Sequence, residues 1–331
     1  MFVKMFDHYH YLASVVNQAE VHGAIFLFFS MTKNHSRYIF IFNPAADKGR
    51  ASRRAEWLKA LLRGRNDSEL FTTTHAGHAG DIARSETATG TCMIACGGDG
   101  TLHEVVNAVA GKGVTVGILP IGSANDFVKT HSPQNSVDLG VTRFFDVESK
   151  DVDLGSVSYG HARHRYFINS LGIGFTGRIA KSVQQSSWLK GEIGYVYALI
   201  SVLFGYEPLT MGIKITLEDS LIELHGPVFV FSVLNGKVEG GKFRIAPHAE
   251  LSDGLLDVCI LKAIPKHQFF GYVLKYLRGT HISDSQVLYY KAKSVEVTLD
   301  AADVMHLDGE VYDNISGSIV ISVVPKGISV R

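Results

Sequence analysis

The sequence predicts an α/β domain with a parallel sheet, followed by a second domain that is mainly antiparallel sheet. From residue 38 to about residue 140, strand and helix signals alternate, which is typical of a parallel sheet with helices on both faces. Beyond residue 140, strand-like runs separated by turns dominate. The chain has 331 residues, 46% of them hydrophobic, which is enough for two packed domains.

In the first domain, short apolar runs predict the strands and apolar periodicity predicts the helices. The apolar residues between Leu102 and Val109 repeat at the i, i+3, i+4 and i+7 spacing of a helix with one buried face. The predicted strands are 38–42, 70–73, 92–96 and 114–119, and the predicted helices are one that ends near 62, one over 80–85 and one that starts at 102.

The second domain is predicted to be a β-sandwich, with a cleft between it and the first domain. Two helical stretches, around 178–204 and 266–278, interrupt its strands. We place the domains at 37–140 and 141–331, with the last strands free to pack back on the first domain. The predicted strands are 152–158, 166–171, 211–217, 228–234, 256–261, 294–299 and 319–324.

Residues 1–36 look detached from the first predicted strand, and we predict an N-terminal extension there. It is either a start-site extension or loosely attached appendage, or a short membrane-contacting element. In the sequence, no apolar run reaches the roughly 18 residues that span a bilayer.

The net charge and the cysteine content limit the classes of function that the chain can have. The formal net charge is zero and the pI is near 7.3, so the sequence has no basic surplus to favour nucleic-acid binding. Three cysteines fit a reducing compartment rather than a disulfide framework. The 15 histidines show no spacing typical of zinc ligands.

The segment 97–101 (GGDGT) is the most informative motif, because it lies where a predicted strand becomes a helix. Free N–H groups at a helix start attract anions, and Gly97, Gly98 and Gly100 leave out the side chains that would keep a phosphate away. Asp99 is an acid at an anion site, which indicates a metal or water network. The alternative is an ordinary strand–turn–helix with a glycine turn.

Other polar residues follow the ends of neighbouring predicted strands. Asn43, Thr73 and the segment 122–126 (GSAND) fall at the same edge of the sheet as residues 97–101. In open α/β sheets, ligands bind beyond the carboxyl ends of the strands. This convergence predicts a nucleotide site.

Taken together, these residues resemble the diacylglycerol kinase catalytic superfamily, in particular the bacterial soluble lipid kinases related to sphingosine and ceramide kinases. The resemblance extends from Tyr38 to the C-terminus. GGDGT alone is shared with NAD kinases, but the downstream motifs are similar to those of the lipid kinases. The motifs in order are 43–46 (NPAA), Thr73, 97–101, Asn107, 122–127 (GSANDF), 153–155 (DLG), 172–175 (GIGF), 247–249 (PHA), 253–257 (DGLLD) and 308–310 (DGE).

The chain departs from the family pattern at three positions. Asp47 stands where the family usually has glycine, Ser123 where it has threonine, and Lys242 at the third glycine of a common run. Serine keeps the hydroxyl. Asp47 would place a negative charge near the nucleotide unless Lys48 or Arg50 offsets it.

The resemblance implies a nucleotide domain like that of NAD kinases and phosphofructokinases, doubly wound, and a set of residues that contact ATP. For Thr73, a β-branched residue that merely closes a strand is the alternative. The implied nucleotide-binding residues are Asn43, Thr73, Gly97, Gly98, Asp99, Gly100, Thr101, Gly122, Ser123 and Asn125.

The resemblance also implies two Mg²⁺ sites. A Mg²⁺–water network would include Asp99, Asp126 and Asp153, although Asp126 could be a helix cap and Asp153 a plain loop residue. A structural Mg²⁺ would be held by Asp253 and by the carbonyl groups of two neighbours, Glu250 and Leu255. For that second site, a simple β-turn at 252–254 is the alternative.

The catalytic base is implied to lie in the segment 308–310. Asp308 is the first choice and Glu310 the second, because Gly309 allows either carboxylate to face the cleft. The chain also contains a G-x-G-x-x-G segment at 172–177, which we interpret as a close backbone contact rather than a cofactor site. The aromatic stretch 193–204, with cationic residues ahead of it, would admit a lipid tail, rest on an anionic membrane or form a core helix.

We therefore predict a cytoplasmic kinase that uses ATP and Mg²⁺ to phosphorylate a lipid hydroxyl in phospholipid metabolism. It would touch the inner membrane surface transiently, with a homodimer as one possible assembly. Two alternatives stay open, an NAD kinase-like enzyme and a catalytically idle lipid-binding regulator. The sequence does not name the lipid.

Overall fold

The computed structural model describes residues 37–132, 145, 148–160, 162–185 and 191–331. The chain divides into two compact units, Met1–His35 and Ser36–Arg331, and everything below concerns the second. The predicted N-terminal extension and the predicted domain boundary near residue 140 lie outside the described residues. Among the described helices, none is long and apolar enough to cross a membrane.

The first part of the second unit is a parallel sheet in the order β2-β1-β3-β4, as the alternating pattern predicted. The strands end level with one another, because Phe42 pairs with both Thr72 and Cys96. Loops after the strands therefore meet at one edge. The elements are β1 (Arg37–Phe42), a 3-10 helix (Asp47–Arg54), α1 (Ala55–Leu62), β2 (Ser68–Thr72), α2 (His78–Ser85), β3 (Thr91–Gly97), α3 (Asp99–Val109), β4 (Thr115–Pro120) and α4 (Asp126–His131).

Both faces of this sheet are covered. Alternate residues of β1 belong to different cores: Ile39 and Ile41 pack with α2 and α3, whereas Phe40 and Phe42 pack with α1. Burial on both faces explains why β3 reads as an unbroken apolar run. Across the α2–α3 contact, the Glu104 carboxylate accepts hydrogen bonds from three backbone N–H groups at the start of α2. These hydrogen bonds cap that helix.

The second part is mainly antiparallel sheet with three helices. The predicted helical stretch at 178–204 contains two helices, α5 and α6, and β11 was not predicted. The elements are β5 (Lys150–Tyr159), β6 (Arg163–Phe167), β7 (Ser170–Ile173), α5 (Phe175–Gln185), α6 (Gly191–Gly205), β8 (Leu209–Thr216), β9 (Leu221–Leu234), β10 (Leu256–Lys262), α7 (Lys266–Arg278), β11 (Val287–Ala292), β12 (Ser294–Leu307) and β13 (Glu310–Val330).

The strand predicted at 166–171 is broken into β6 and β7. The chain leaves the ladder at Ile168 and Asn169, whose backbone N–H groups donate to the carboxylate of Asp308 instead. The break therefore has a physical reason, since a buried carboxylate takes the hydrogen bonds that a neighbouring strand would have made.

The last strand joins the two parts of the sheet. β13 pairs antiparallel with β12 and β5 along most of its length, and Ser329 and Val330 then pair parallel with β4. Its register shifts between Val324 and Ile328, around Lys326, which has a left-handed φ of 51°. The C-terminal strand thus returns to the first part of the chain.

Candidate active site

Two glycine loops touch at the edge of the parallel sheet. A Cβ atom on Gly122 would lie within 3 Å of the Gly98 backbone, and one on Gly97 would lie within 3 Å of the Thr101 hydroxyl. Only glycine fits at these two positions. Anion binding by the N–H groups at the start of α3 stays a prediction.

The residues after β1 are tied to the same loop. The Asn43 side chain donates to Thr101 Oγ1 at 2.9 Å, and its own Oδ1 accepts from Ala45 N at 3.0 Å. Thr73 is buried just beyond β2, and its N–H donates to the Phe42 carbonyl at 2.9 Å. The structure therefore brings Asn43 and Thr101 together and places Thr73 at the same strand edge.

Asp47 forms a small hydrogen-bonded cluster with Arg50 and Ser123. Both side chains donate to Asp47 Oδ1 at 2.7 Å. Burial alone would raise the pKa of Asp47, but these hydrogen bonds lower it below its ordinary value, so the carboxylate is ionised and paired. Its φ of 50° is left-handed, which explains why glycine suits this position and why aspartate is tolerated.

Asp99 and Asp126 are brought together at the start of α4. The Asp126 N–H donates to Asp99 Oδ1 at 2.7 Å, and the Asp126 carboxylate accepts from Gly241 N at 2.9 Å and from Lys129 Nζ at 3.3 Å. Asn125, with a left-handed φ of 53°, closes this turn by donating to the Gly122 carbonyl.

The Asp99 carboxylate fits a hard cation. Burial, together with the negative charge of Asp126, raises its pKa to about 7. Asp308 adds further negative charge, and no basic side chain in the described part of the chain hydrogen-bonds to Asp99. A divalent ion bound by oxygen ligands would supply the missing positive charge.

Asp153 lies in different surroundings. Its two carboxylate oxygens accept from Gly254 N and from Lys326 N, both at 2.7 Å, and so fix the loop after residue 250 to the bend of β13. Backbone N–H groups thus engage both oxygens of Asp153, and its place in a network with Asp99 and Asp126 stays a prediction. Across the described ranges, no group of three or more His, Cys, Asp or Glu residues is arranged to hold a metal.

At the predicted structural Mg²⁺ site, a lysine side chain already contacts the aspartate. The ammonium group of Lys291 contacts Asp253 Oδ2 and lies 4.0 Å from Glu250, and Leu255 N donates to Asp253 Oδ1 at 3.1 Å. Burial alone would lower the pKa of Lys291, but the bond to Asp253 and the nearby carboxylates raise it. A side chain therefore supplies the charge that the sequence interpretation assigned to Mg²⁺.

The two candidate bases have different surroundings. The Asp308 carboxylate accepts four hydrogen bonds, from His103 Nδ1 at 2.9 Å and from the N–H groups of residues 168, 169 and 170 at 2.8 to 3.1 Å. Its oxygens are therefore engaged within the fold. Glu310 lies beyond Gly309 and is half-buried.

Glu310 directly faces residues 97–101, the predicted phosphate-binding segment, which is named the phosphate loop. A Cβ atom on Gly100 would lie within 3 Å of Glu310 Oε1, so this glycine makes room for the carboxylate. Burial raises the pKa of Glu310, and the negative charges of Glu104 and Asp308 add to that rise, against an opposing effect of His103. The geometry thus favours the second candidate for the base and makes Asp308 a positioning residue.

Sequence analysis missed two basic residues beside this site. His103, on α3, donates to Asp308, and Lys129 donates to Asp126 from one turn further along α4. For Lys129 the i, i+3 spacing from Asp126 was a usable signal. For His103 the sequence held no such signal, because its partner, Asp308, lies 205 positions away.

A mainly apolar pocket lies between β9 and the helices α5, α6 and α7. It is lined by Phe175, Leu199, Phe269 and Val273 together with the acidic Glu239. The segment at 172–177 packs beside it without a cofactor loop: a Cβ atom on Gly177 would lie within 3 Å of the Val304 carbonyl. Here glycine permits a close approach of two backbones.

Comparisons with known proteins agree with this arrangement. A family model described as the diacylglycerol kinase catalytic domain matches residues 37–157, and one described as the YegS C-terminal NAD kinase beta sandwich-like domain matches residues 169–331. The chain is 28% identical over 289 residues to a diacylglycerol kinase of Bacillus subtilis (strain 168), covering 85% of this chain and 91% of the relative.

Two further relatives show the same extent of similarity. A diacylglycerol kinase of Mycobacterium tuberculosis (strain ATCC 25618 / H37Rv) is 25% identical over 295 residues, covering 87% of this chain and 92% of the relative. The crystal structure of a diacylglycerol kinase from Bacillus anthracis str. Sterne superposes with a TM-score of 0.63 at 21% identity, covering 89% of this chain and 96% of that one. This last match concerns the fold.

Proposed function

This chain belongs to the bacterial diacylglycerol kinase-like family, and from that premise we propose that it is an ATP-dependent lipid kinase that phosphorylates a lipid hydroxyl. The family resemblance read from the motifs is confirmed by the matches. The observation that carries the mechanism is the position of Glu310, whose carboxylate lies against Gly100 at the start of α3. A candidate base from the second part of the chain thus meets the phosphate loop of the first.

The nucleotide phosphates bind at the N–H groups of residues 98–101, with Thr101 held in place by Asn43. Gly122, Ser123 and Asn125 form the facing loop, and the Asp47–Arg50 pair lies at its outer side. Asp99, backed by Asp126, would hold Mg²⁺, which neutralises phosphate charge during transfer. No comparable role is assigned to Asp153.

Glu310 acts as the general base. The acceptor hydroxyl gives its proton to the Glu310 carboxylate as its oxygen forms a bond to the γ-phosphorus, and the bond from that phosphorus to the bridging oxygen of ADP breaks. The raised pKa of Glu310 makes it a better proton acceptor than an ordinary glutamate. Asp308 holds the turn in place through His103 and three backbone N–H groups.

The acceptor lipid enters from the side of the α6–α7 face. On α6 Val196 and Phe204 are exposed, and on α7 Phe270 and Leu274 are exposed, Phe204 to 71%. Lys266 donates to the Phe204 carbonyl, which links the two helices. Large exposed apolar side chains beside an apolar pocket support transient contact with the inner membrane surface. Burial of this face in a homodimer is the alternative, and gel filtration of the lipid-free protein separates the two.

Labelled ATP offered with a total lipid extract tests the proposed function. Wild-type protein with Mg²⁺ should transfer the γ-phosphate to a lipid that chromatography then resolves. Labelled NAD phosphate, with no label in any lipid, would instead favour an NAD kinase-like enzyme. No transfer to either would favour an idle lipid-binding protein, against which the presence of Asp99 and Glu310 already speaks.

A further inference from the structure

Glu239 is a buried acid in the wall of the apolar pocket. The residue is only 8% exposed, and its Oε1 lies 3.3 Å from Nε2 of His306, which is also buried. Its second oxygen, Oε2, finds no hydrogen-bond partner among the described residues. A buried carboxylate oxygen without a donor is costly, so such atoms usually serve a ligand or a function.

A further polar atom lies on the same wall without a partner. Thr176 lines the pocket, and its Oγ1 has no hydrogen-bond partner in the described part of the chain. Gly172 makes room for this group, since a Cβ atom there would lie within 3 Å of both Thr176 Oγ1 and His306 Nε2. The pocket therefore combines apolar lining residues with polar atoms that lack hydrogen-bond partners within the fold.

Two residues after Glu239, the same loop contacts the acids of the predicted phosphate site. The N–H of Gly241 donates to Asp126, and the N–H of Asp126 donates to Asp99. The Glu239 backbone is itself fixed by a reciprocal pair of hydrogen bonds with Phe243, at 2.9 and 3.1 Å. A lipid in the pocket would thus have its headgroup between Glu239 and the phosphate loop.

We propose that Glu239 selects acceptor lipids that carry a second hydrogen-bond donor, a hydroxyl or an ammonium group, beside the hydroxyl that is phosphorylated. This inference rests on the proposed lipid kinase function. A carboxylate only accepts hydrogen bonds, and His306 occupies one of its oxygens. A lipid whose other headgroup atoms are ester oxygens would leave Oε2 unsatisfied, and sites built to bond a donor reject analogues that lack it.

Three short-chain acceptors test the proposal: a diacylglycerol with no second donor, a monoacylglycerol with a second hydroxyl, and a sphingoid base with an ammonium group. We expect wild type to favour one of the last two over the diacylglycerol by about tenfold or more in kcat/KM. Glu239→Ala should abolish that preference, mainly by lowering the value for the preferred acceptor. Glu218→Gln, at an exposed turn, is the matched control.

The variants also separate the two donors. Loss of preference in both Glu239→Gln and Glu239→Ala indicates an ammonium group, because glutamine has no charge, whereas loss in Glu239→Ala alone indicates a hydroxyl. Wild type that treats the three acceptors alike, or a Glu239→Ala variant that lowers all three equally, would overturn the proposal.

Thermal melting gives a readout that does not depend on catalysis. The preferred acceptor should raise the melting temperature of wild type and leave that of Glu239→Ala unchanged. A Glu239→Ala variant that responds to the acceptors as wild type does would mean that Glu239 is structural. If wild type phosphorylates no lipid, the proposed kinase function fails, and the ligand-induced melting shift still decides the role of Glu239.

Discussion

His103 Nδ1 lies 2.9 Å from Oδ2 of Asp308, and this contact links the first helix of the phosphate site to the last β-turn of the chain. The carboxylate only accepts, so Nδ1 is the protonated ring nitrogen, and Nε2 is left to accept from the Tyr312 hydroxyl at 3.1 Å. The pair fixes the turn that presents Glu310 to Gly100. Positioning and catalysis are thereby assigned to two acids separated by one glycine.

Asp308→Asn should destabilise the whole fold. The variant replaces an acceptor of four hydrogen bonds with an amide whose NH₂ group faces backbone donors, and we expect a loss of roughly 3–5 kcal/mol in the free energy of unfolding. Urea denaturation followed by circular dichroism measures it. Glu310→Gln is the matched control and should not lower the midpoint. Equal midpoints for Asp308→Asn and wild type would contradict the positioning role.

Gly100→Ala should reduce activity without loss of stability. The added methyl group would displace the Glu310 carboxylate, so we expect kcat to fall by about 10- to 100-fold. Alanine is a better helix former than glycine, so the melting temperature should stay equal or rise. Gly271→Ala, where nothing lies near the added methyl, controls for the substitution itself. Full activity of Gly100→Ala would show that Glu310 does not need this space.

Asp99 should make the metal-free protein less stable as the pH rises. Its folded pKa of about 7 is above its ordinary value of 3.8, so ionisation penalises the folded state, and the penalty grows between about pH 4 and pH 7. Asp99→Asn removes it. The variant should therefore melt higher than wild type at pH 8, by roughly 2–4 °C per kcal/mol, and match it near pH 4.

The control for this measurement is Asp81→Asn, an exposed site whose melting difference from wild type should not depend on pH. Mg²⁺ added at pH 8 should raise the melting temperature of wild type and leave that of Asp99→Asn unchanged. A wild type that is more stable than Asp99→Asn at pH 8 without metal would contradict the assigned electrostatics.

Lys291 should make the Asp253 loop independent of divalent metal. We expect a chelator to change the melting temperature of wild type by less than about 1 °C, because the ammonium group already compensates the carboxylate. Lys291→Met should lower stability by about 1–3 kcal/mol and make it sensitive to Mg²⁺. Lys293→Met, an exposed neighbour, is the control. A chelator that destabilises wild type as much as Lys291→Met does would restore the structural Mg²⁺ interpretation.

The sequence was sufficient to predict those features whose residues lie close together along the chain. Residues 97–101 follow an apolar strand and precede a periodic helix, so the phosphate loop could be placed from adjacent residues alone. The remaining features depend on residues that are far apart in the sequence and meet only in the fold. Asp308 and Glu310 could not be ranked, because the donors that engage Asp308 come from the break between β6 and β7, about 140 positions earlier. Lys291 is 38 positions from Asp253, and the sequence analysis assigned no role to Glu239.

Phosphate transfer by Glu310→Gln tests the central claim most directly. Labelled ATP, Mg²⁺ and a short-chain lipid acceptor are mixed with excess enzyme, and the label in the lipid is followed through a single turnover. We predict a rate at least about 100-fold below that of wild type, with ATP affinity unchanged and no loss of melting temperature. A Glu310→Gln rate within about tenfold of wild type would contradict the assignment of Glu310 as the base.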